Sequence, residues 1–396
     1  MKIDIKTWTT KKLGEIVNVD SGTWGPADNQ GTAVLRSTNF TNYGQISFIN
    51  IAYREVKSNK IMELALQPGD ILLEKSGGGP TQPVGRVVFF DKDLDKKIVF
   101  GNFISRLKPL GVNNKYLFYY LLFLYKIGVT ERLQNQTTGI RNLILKKYLD
   151  INVALPPSEV QQQIVEKLDA IRKLQEVNNS QISKIDDLYK NLINKEIKSN
   201  KYNTVKLAKV IKPQEFINPK KFPNDEYHYI DISSIDSENF SVDLNSIKQF
   251  KGKDAPSRAR KKIEMGDILF STVRPNLKRI AKVDFPTFNS LASTGFAVLR
   301  PDSNKVNPDY MGTIVCSGIV TEQVLPQVRG AAYPAVSDNE VFNVEIPLPE
   351  RKKQDEIAEK FITLQKYRKN LIEQKEKLSE LFESALNKLL NQKNEN

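Results

Sequence analysis

The chain repeats its own plan, and this duplication constrains its fold more than any single motif. Residues 69–73 (GDILL) return as 266–270 (GDILF). Residues 164–168 (IVEKL) return as 357–361 (IAEKF). Further matches keep the same order at offsets of 191 to 197 residues, whereas chance similarity yields isolated pairs. The sequence therefore consists of two related copies, and its 396 residues allow each copy its own hydrophobic core.

Each copy combines short β-type runs with one long helical pattern. Apolar runs such as 71–73 and 268–270 are bounded by Gly, Pro and Asp, which is typical of short strands joined by tight loops. A proline signal then precedes each helical pattern and indicates a helix start. We predict a mixed α/β fold, with α/β domains at residues 1–157 and 200–349 and long helices at residues 158–199 and 350–396.

The two helical patterns carry matching seams. In the first, residues recur at spacings of three and four, with two polar positions among them: Ile164, Leu168, Ile171, Gln175, Asn178, Ile182, Ile185, Tyr189 and Leu192. A helix of roughly 40 residues is about 60 Å long, more than a globular domain needs. We predict an antiparallel coiled-coil pair that separates two domains related by a pseudo-twofold axis, with polar layers that set the register. Alternatively, each helix packs on its own domain or mediates homodimerisation.

Basic residues outnumber acidic ones, mainly in the predicted domains. The net charge is +13, to which residues 1–157, 158–199, 200–349 and 350–396 contribute +8, 0, +3 and +2. A basic excess indicates a polyanionic partner such as nucleic acid. The neutral first helix is typical of a solvated scaffold with internal charge pairs. Charge alone also fits an ordinary solvated surface.

Basic and polar residues in predicted loops are the candidate nucleic-acid contacts. Loop amides and basic side chains can bind phosphates, while Arg and Asn side chains can read base edges. Lys75 opens a glycine-rich loop that Arg86 closes, and an Arg-Gly combination at 139–142 matches 329–330, although a simple turn explains these glycines equally well. The candidates are Arg36, Lys75, Ser76, Arg86, Arg141, Asn142, Lys261, Arg274, Lys278, Arg279 and Arg329.

No recognisable catalytic constellation is found in the sequence. One cysteine and one histidine exclude an intramolecular disulfide, a thiolate zinc cluster and a histidine-rich metal site. We therefore expect His228 and Cys316 to be packing residues, and Asp91, Asp93 and Asp95 to form a charged turn. No catalytic residue, metal or cofactor is expected.

The apolar content of the chain does not suggest a membrane protein. The most apolar run, residues 116–125, is too short for a spanning helix and is expected to be a buried amphipathic helix. Residues 1–6 mix apolar and charged side chains, unlike a secretory signal. We expect a cytoplasmic protein with no membrane partner.

Two helix-entry segments and one loop carry a family resemblance. These are residues 153–168 (VALPPSEVQQQIVEKL), 346–361 (IPLPERKKQDEIAEKF) and 138–142 (TGIRN), and they occur with the repeated GDIL strand. Together they resemble the specificity subunit of type I restriction-modification systems, over essentially the whole chain. The resemblance implies two target-recognition domains that each read one half of a split double-stranded DNA sequence, and helices that fix the unread spacer.

The same resemblance implies protein partners and no catalysis by the chain itself. Two DNA methyltransferase (modification) subunits would dock on the helices, and restriction subunits would join through them. The helix residues expected to face these partners are Gln161, Glu166, Gln354 and Glu359. Two alternatives stay open, namely a stand-alone DNA-acting enzyme such as a metal-dependent nuclease, and a non-catalytic coiled-coil scaffold.

Overall fold

A computed structural model describes residues 8–79, 82–137, 140–198, 202–330 and 333–391. The chain forms two compact units: unit 1 comprises residues up to 177 and from 376 onward, and unit 2 comprises residues 178–375. Each unit therefore contains one globular segment, the beginning of the long helix that follows it and the end of the other long helix. The predicted mixed α/β class is confirmed.

Unit 1 is built from short strands and a few helices. Its strands are β1 (Thr9–Lys12), β2 (Val17–Ser21), β3 (Ala27–Leu35), β4 (Ala52–Arg54), β5 (Ile71–Glu74), β6 (Ser76–Gly77), β7 (Val87–Phe89), β8 (Ile98–Phe100), β9 (Ile104–Pro109), β10 (Gln134–Thr137), β11 (Ile140–Leu143) and β12 (Asn152–Leu155). Its helices are α1 (Ser58–Leu64), α2 (Asn114–Lys126), α3 (Leu145–Leu149) and the beginning of α4 (Ser158–Leu192).

Unit 2 repeats this composition. Its strands are β13 (Thr204–Lys206), β14 (Ile211–Lys212), β15 (Glu226–Ile230), β16 (Ile235–Asp236), β17 (Ser241–Val242), β18 (Lys248–Lys251), β19 (Ala259–Lys262), β20 (Ile268–Ser271), β21 (Ile280–Lys282), β22 (Ser290–Ser293), β23 (Phe296–Pro301) and β24 (Glu345–Pro347). Its helices are α5 (Pro308–Cys316), α6 (Ile319–Val324), α7 (Asp338–Phe342) and the beginning of α8 (Arg351–Leu390), and α4 ends here in a π-helical turn (Ile193–Ile197).

The sheets of the two units share one topology. The antiparallel four-stranded sheet has the order β2-β9-β5-β7 in unit 1 and β14-β23-β20-β21 in unit 2. A second sheet contains the parallel pair β3 and β8 in unit 1 and the parallel pair β15 and β22 in unit 2. A two-stranded ribbon joins the first and last strands of each globular segment, β1 with β12 and β13 with β24. This common strand order supports the duplication inferred from sequence.

The most apolar run of the sequence forms the buried helix α2. Asn113 caps this helix by accepting a hydrogen bond from the backbone N–H of Tyr116 at 3.1 Å. Every residue from Tyr116 to Leu124 is buried, and α2 belongs to the same core as β5 and β7. Among the described residues, no helix has the length and apolarity to cross a membrane.

The repeated Gly-Asp dipeptide forms the same turn before the central strand of each four-stranded sheet. Gly69 and Gly266 have φ angles of +100° and +95°, which glycine adopts without a Cβ clash. Asp70 and Asp267 each accept a hydrogen bond from the backbone N–H three residues earlier, at 2.9 and 2.8 Å. The GDIL motif is therefore a structural turn.

A buried arginine completes each of these turns. The Arg106 Nη1 atom lies 3.3 Å from Asp70 Oδ2, and the Arg300 Nε atom lies 2.9 Å from Asp267 Oδ1. Burial raises the pKa of the Asp267 carboxyl, although Arg300 and a backbone hydrogen bond oppose this shift. These ion pairs lie in the interior, where removing one partner costs more than on the surface.

In unit 1, the beginning of α4 packs against the end of α8. The guanidinium carbon of Arg172 lies 5.4 Å from the centre of the Phe382 ring, and Gln175 donates a hydrogen bond to the Leu378 carbonyl at 3.2 Å. Later residues of α4 contact earlier residues of α8, so the two segments run antiparallel. Gln175, a polar position of the predicted seam, therefore contacts the other helix.

Unit 2 contains the corresponding antiparallel contact between the end of α4 and the beginning of α8. Asn178 donates a hydrogen bond to Gln374 at 3.1 Å, and Arg368 donates one to Asp186 at 2.7 Å. The predicted polar position Asn178 is thus buried and paired across the helices. Lys375, which lies 193 residues after Ile182, is exposed instead.

A buried glutamine in the first turn of each long helix attaches that helix to its globular segment. Gln161 accepts a hydrogen bond from the backbone N–H of Asn113 at 3.0 Å and donates one to the Pro156 carbonyl at 2.9 Å. Gln354 makes the same two contacts in unit 2, both at 2.8 Å. Each glutamine satisfies a backbone N–H and a carbonyl that would otherwise be unpaired.

We expect Gln161→Ala to lower the free energy of unfolding by about 1–3 kcal/mol, because it leaves a buried N–H and a buried carbonyl without a partner. The matched control is Gln162→Ala, which removes an exposed side chain and should change stability by less than about 0.5 kcal/mol. Urea unfolding of the full chain measures both values. Equal effects of the two substitutions would contradict the structural role of Gln161.

Candidate nucleic-acid interface

Unit 1 brings two of the predicted loops together into one strand cluster. β11 pairs with β10 on one side and with β6 on the other. Asn142 lies opposite Ser76 and Arg141 lies opposite Gly77. Ser76, Arg141 and Asn142, predicted from separate parts of the sequence, are therefore neighbours and are half-buried. Thr138 and Gly139 of the TGIRN segment, and Pro80 and Thr81 of the glycine-rich loop, lie outside the described residues.

Lys75 adds a positive charge to the edge of this cluster. Its backbone N–H donates to the Phe103 carbonyl at 2.9 Å, and its ammonium donates to Ser21 Oγ at 3.2 Å. Partial burial lowers the pKa of the Lys75 ammonium from its ordinary value. A half-buried cation held in this way can contact a phosphate without first ordering a long flexible side chain.

A cavity of about 700 Å³ opens beside the cluster. It is lined by Arg36, by the glycines at 77–79, and by two exposed aromatic residues, Trp24 and Phe103, of which 42% and 45% are accessible. The guanidinium of Arg54 lies 4.3 Å from the centre of the Trp24 ring. Aromatic faces and arginine planes are surfaces on which nucleobases stack. Sequence reasoning missed both aromatic residues, since neither stands in a basic or glycine-rich run.

Arg36, predicted as a contact, lies at the mouth of this cavity. Its Nη2 atom donates to the Asn50 carbonyl at 2.5 Å, and its backbone N–H donates to Asn39 Oδ1 at 3.0 Å. The Nε atom is buried and has no hydrogen-bond partner among the described residues. Arg36 thus lines the cavity, but its buried Nε atom is not accessible to a ligand.

Arg86 lies under the cluster in a buried ion pair. Its Nε and Nη2 atoms donate to the two carboxylate oxygens of Glu74, both at 2.8 Å. Nη1 and Nη2 also donate to the carbonyls of Phe40 and Ser37, at 2.7 and 3.0 Å. Only 8% of Arg86 is exposed. This geometry gives Arg86 a supporting role, although it also lines the cavity, and its direct contact with nucleic acid stays a prediction.

Unit 2 contains the same kind of strand cluster, formed with a loop of different sequence. Ala335 bridges Val273 on one side and Arg329 on the other. This arrangement matches unit 1, where Asn142 lies between Ser76 and Asn135. Arg329 therefore corresponds to Asn135 on the outgoing strand, whereas Arg141 lies on the return strand.

The basic candidates of unit 2 divide into buried and accessible groups. Lys261 is 2% exposed, and its ammonium donates to the Phe296 carbonyl and to Asp338 Oδ2, so it supports the fold. Arg274, Lys278 and Arg329 are exposed, and Arg279 is half-buried. Arg279 Nη1 donates to the Ile235 carbonyl, and Arg329 Nη2 lies 3.3 Å from Glu340 Oε1.

The candidate partner-binding residues also divide by burial. Gln161 and Gln354 are 7% and 3% exposed and serve the internal contacts described above. Glu166 and Glu359 are exposed on α4 and α8, at positions 193 residues apart. Only the two glutamates are therefore placed where another protein could reach them.

The residues for which the sequence predicts no catalytic role occupy ordinary structural positions. Cys316 is buried, which raises the pKa of its thiol to about 12. His228 Nδ1 lies 3.3 Å from the Phe288 carbonyl. Asp91, Asp93 and Asp95 are exposed. In the part of the chain that the structure describes, no group of three or more His, Cys, Asp or Glu side chains is arranged to hold a metal ion.

Comparison with solved structures identifies the same architecture in other proteins. The crystal structure of a type I restriction-modification S subunit from M. genitalium covers 98% of this chain and 98% of its own, with a TM-score of 0.62 and 14% identity. This likeness shows a shared fold. The HsdS subunit from Thermoanaerobacter tengcongensis is 37% identical over 44% of each chain, with a TM-score of 0.40.

Curated relatives agree with this fold. The type I restriction enzyme MjaVIII specificity subunit of Methanocaldococcus jannaschii is 24% identical over 97% of this chain and 91% of its own length. The HindI specificity subunit of Haemophilus influenzae is 27% identical, but that match covers 36% of this chain and 28% of the relative.

A family model, described as the type I restriction modification DNA specificity domain, matches residues 5–187 and again residues 192–382. The two matches coincide with the two copies seen in the sequence. Because they cover nearly the whole chain, the chain belongs to the type I restriction-modification specificity family, whose members are DNA-recognition subunits and not enzymes.

Proposed function

We propose that this chain reads a bipartite double-stranded DNA sequence for a type I restriction-modification complex, with unit 1 reading one half-site and unit 2 the other. The observation that carries this proposal is the strand cluster that occurs once in each unit, after β5 and after β20. Each cluster combines main-chain edges with accessible arginines, and such a surface can hold phosphates and read base edges. A DNA-reading subunit of this kind acts in the cytoplasm.

The clusters support two different half-sites. The surface in unit 1 offers Lys75 at the edge of the strand cluster and, beside it, a cavity lined by Arg36 and the aromatic faces of Trp24 and Phe103. In unit 2 the corresponding surface is a basic loop with Arg274 and Lys278 exposed. Side chains of different shape and donor pattern select different bases, so the two half-sites are expected to differ.

The long helices set the distance between the half-sites. α4 and α8 are continuous over 35 and 40 residues, and both units contain antiparallel contacts between them. Helices of this length span about 50–60 Å. DNA sites joined by such an element are read at one separation, because the spacing becomes a geometric requirement.

Exposed apolar side chains at matching helix positions support docking of two identical partners. Leu174 and Tyr367 are 193 residues apart, as are Leu188 and Leu381, and all four are 46–54% exposed. Leu174 and Leu381 belong to unit 1, and Leu188 and Tyr367 belong to unit 2. Because the same apolar positions are exposed on both helices, they are the surface proposed for these protein contacts.

Two DNA methyltransferase subunits are proposed to bind at these positions, one on each unit. The restriction subunits then bind to the methyltransferase subunits. Glu166 and Glu359 would contribute polar contacts to the same two interfaces. The relatives described above are specificity subunits, which favours this function over a stand-alone nuclease or a scaffold that does not bind DNA.

The complex of this chain with its methyltransferase subunits should select a bipartite motif with a fixed unread spacer from a library of random duplexes. Its affinity should fall linearly with salt on a log–log scale, because phosphate contacts release counterions. Sequencing of the bound duplexes at several salt concentrations provides both readouts. A contiguous motif, or binding indifferent to sequence, would contradict the proposed function.

Inserting one heptad into both helices should lengthen the spacer by about three base pairs, since seven residues add about 10 Å. The insertion points are 177/178 in α4 and 375/376 in α8, which lie opposite each other in the antiparallel register. A heptad preserves the seam, whereas the control with a heptad in α4 alone should disrupt pairing and lose the motif. An unchanged spacer in the double insertion would refute the role of the helices in spacing.

Leu174→Glu combined with Leu381→Glu should remove one methyltransferase subunit, because a carboxylate would be desolvated in an apolar contact. The measurement is the mass of the assembled complex, which should fall from two methyltransferase subunits per chain to one. Lys184→Glu, at an exposed position on α4, is the control and should retain two. Retention of both subunits by the double variant would exclude this docking surface.

A further inference from the structure

The loop after β20 comprises residues 272–279. At one position it has an arginine where the loop after β5 has a glycine. Arg274 follows β20 as Gly77 follows β5, 197 residues earlier. Gly77 pairs with the return strand at Arg141, and the backbone N–H of Arg274 donates to the return-strand carbonyl of Pro334 at 2.7 Å. The two residues therefore occupy the same structural position.

Arg274 holds a backbone conformation that an arginine adopts only at a cost. Its φ angle is +48°, in the left-handed region, and Lys278 in the same loop has a φ angle of +49°. At the equivalent place unit 1 has Gly77 and Gly78, with φ angles of +122° and +66°. A side chain in the left-handed region is strained by its own Cβ, whereas glycine is not.

Side-chain contacts within the protein do not account for this strained arginine, although its backbone N–H donates to the Pro334 carbonyl and its carbonyl accepts from the Leu277 N–H. The side chain of Arg274 is exposed, and it has no hydrogen-bond or ion-pair partner among the residues that the structure describes. Strained side chains that the fold itself does not need are concentrated at functional sites. The strain therefore points to a contact outside the chain.

The rest of the loop shows the chemistry of that contact. Arg279 occupies the place of Arg86, because its carbonyl accepts a hydrogen bond from Ser271 N–H as that of Arg86 does from Glu74 N–H. Ser271 therefore stands where unit 1 has the carboxylate that neutralises Arg86. Residues 272–279 contain three basic side chains and no carboxylate, although Asp236 outside the loop interacts electrostatically with Arg279, and this excess of positive charge favours a polyanionic duplex.

We infer that Arg274 is a base-reading, specificity-determining residue of the second half-site, held over the base edges by Lys278 and Arg279 on the flanking phosphates. The guanidinium is a planar fork whose two donors match the O6 and N7 acceptors of guanine in the major groove. The expected target is therefore a guanine at one fixed position. This inference rests on the proposed function.

The test compares Arg274→Gly and Arg274→Lys with the wild type, each in the full chain assembled with its methyltransferase subunits. The readouts are the motif selected from a random duplex library, the affinity for the wild-type site and the Tm of the chain. Lys209→Gly serves as the control, since Lys209 is an exposed basic residue of unit 2 without a positive φ.

Arg274→Gly should keep or raise the Tm while one guanine of the second half-site becomes degenerate and affinity for the wild-type site falls about 10- to 100-fold. Arg274→Lys should show the same degeneracy with unchanged affinity for non-specific duplex, because the charge remains and the fork is lost. Lys209→Gly should lower the Tm and leave the motif intact.

An unchanged motif in both Arg274 variants, with a bipartite motif in the wild type, would overturn this inference alone. A uniform loss of affinity across all duplexes would assign Arg274 to a phosphate and also overturn it. A lower Tm for Arg274→Gly would contradict the strain argument. A wild-type complex that selects no bipartite motif would end both the proposed function and this inference.

Discussion

The ribbon that closes each globular segment on itself is the constraint on which the rest of the structure depends. β1 pairs with β12 and β13 pairs with β24, so the chain enters and leaves each segment at one place. β12 ends at Leu155 and α4 begins at Ser158, and β24 ends at Pro347 and α8 begins at Arg351. Each long helix therefore begins close to the point at which the preceding segment starts. Loops away from the ribbon can then change without disturbing the helical pair.

The two units combine one scaffold with loops of different chemistry. Their four-stranded sheets share strand order and the Gly-Asp turn. The loop after β5 and the loop after β20 differ in glycine content and in charge. In unit 1 it is rich in glycine and lies over the neutralised pair of Glu74 and Arg86. In unit 2 it carries Arg274 and Arg279, and Ser271 replaces the carboxylate. Divergence in this loop supports the proposal that the two half-sites differ.

The duplication was predicted from matching segments 191 to 197 residues apart. Local patterns predicted the mixed α/β class, the start of α4 at Ser158 and the buried helix α2, because each of these depends on residues close together in the sequence. Burial of individual charged and polar residues depends on distant segments and was not predictable. Arg86 is held by carbonyls almost 50 residues earlier, and Lys261 by Asp338, 77 residues later. The Arg-Gly combinations at 139–142 and 329–330 look alike in the sequence, but strand register places Arg329 opposite Ala335 and makes it equivalent to Asn135.

Replacing residues 204–347 of the full chain with a second copy of residues 9–155 tests most directly whether each unit reads its own half-site. Both segments begin and end on paired strands, Thr204 opposite Pro347 and Thr9 opposite Leu155, so the exchange preserves the closing ribbon. With the methyltransferase subunits bound, the chimera should select a symmetric site with two copies of the unit 1 half-site in inverted orientation. Retention of the original asymmetric motif would contradict independent reading by the two units.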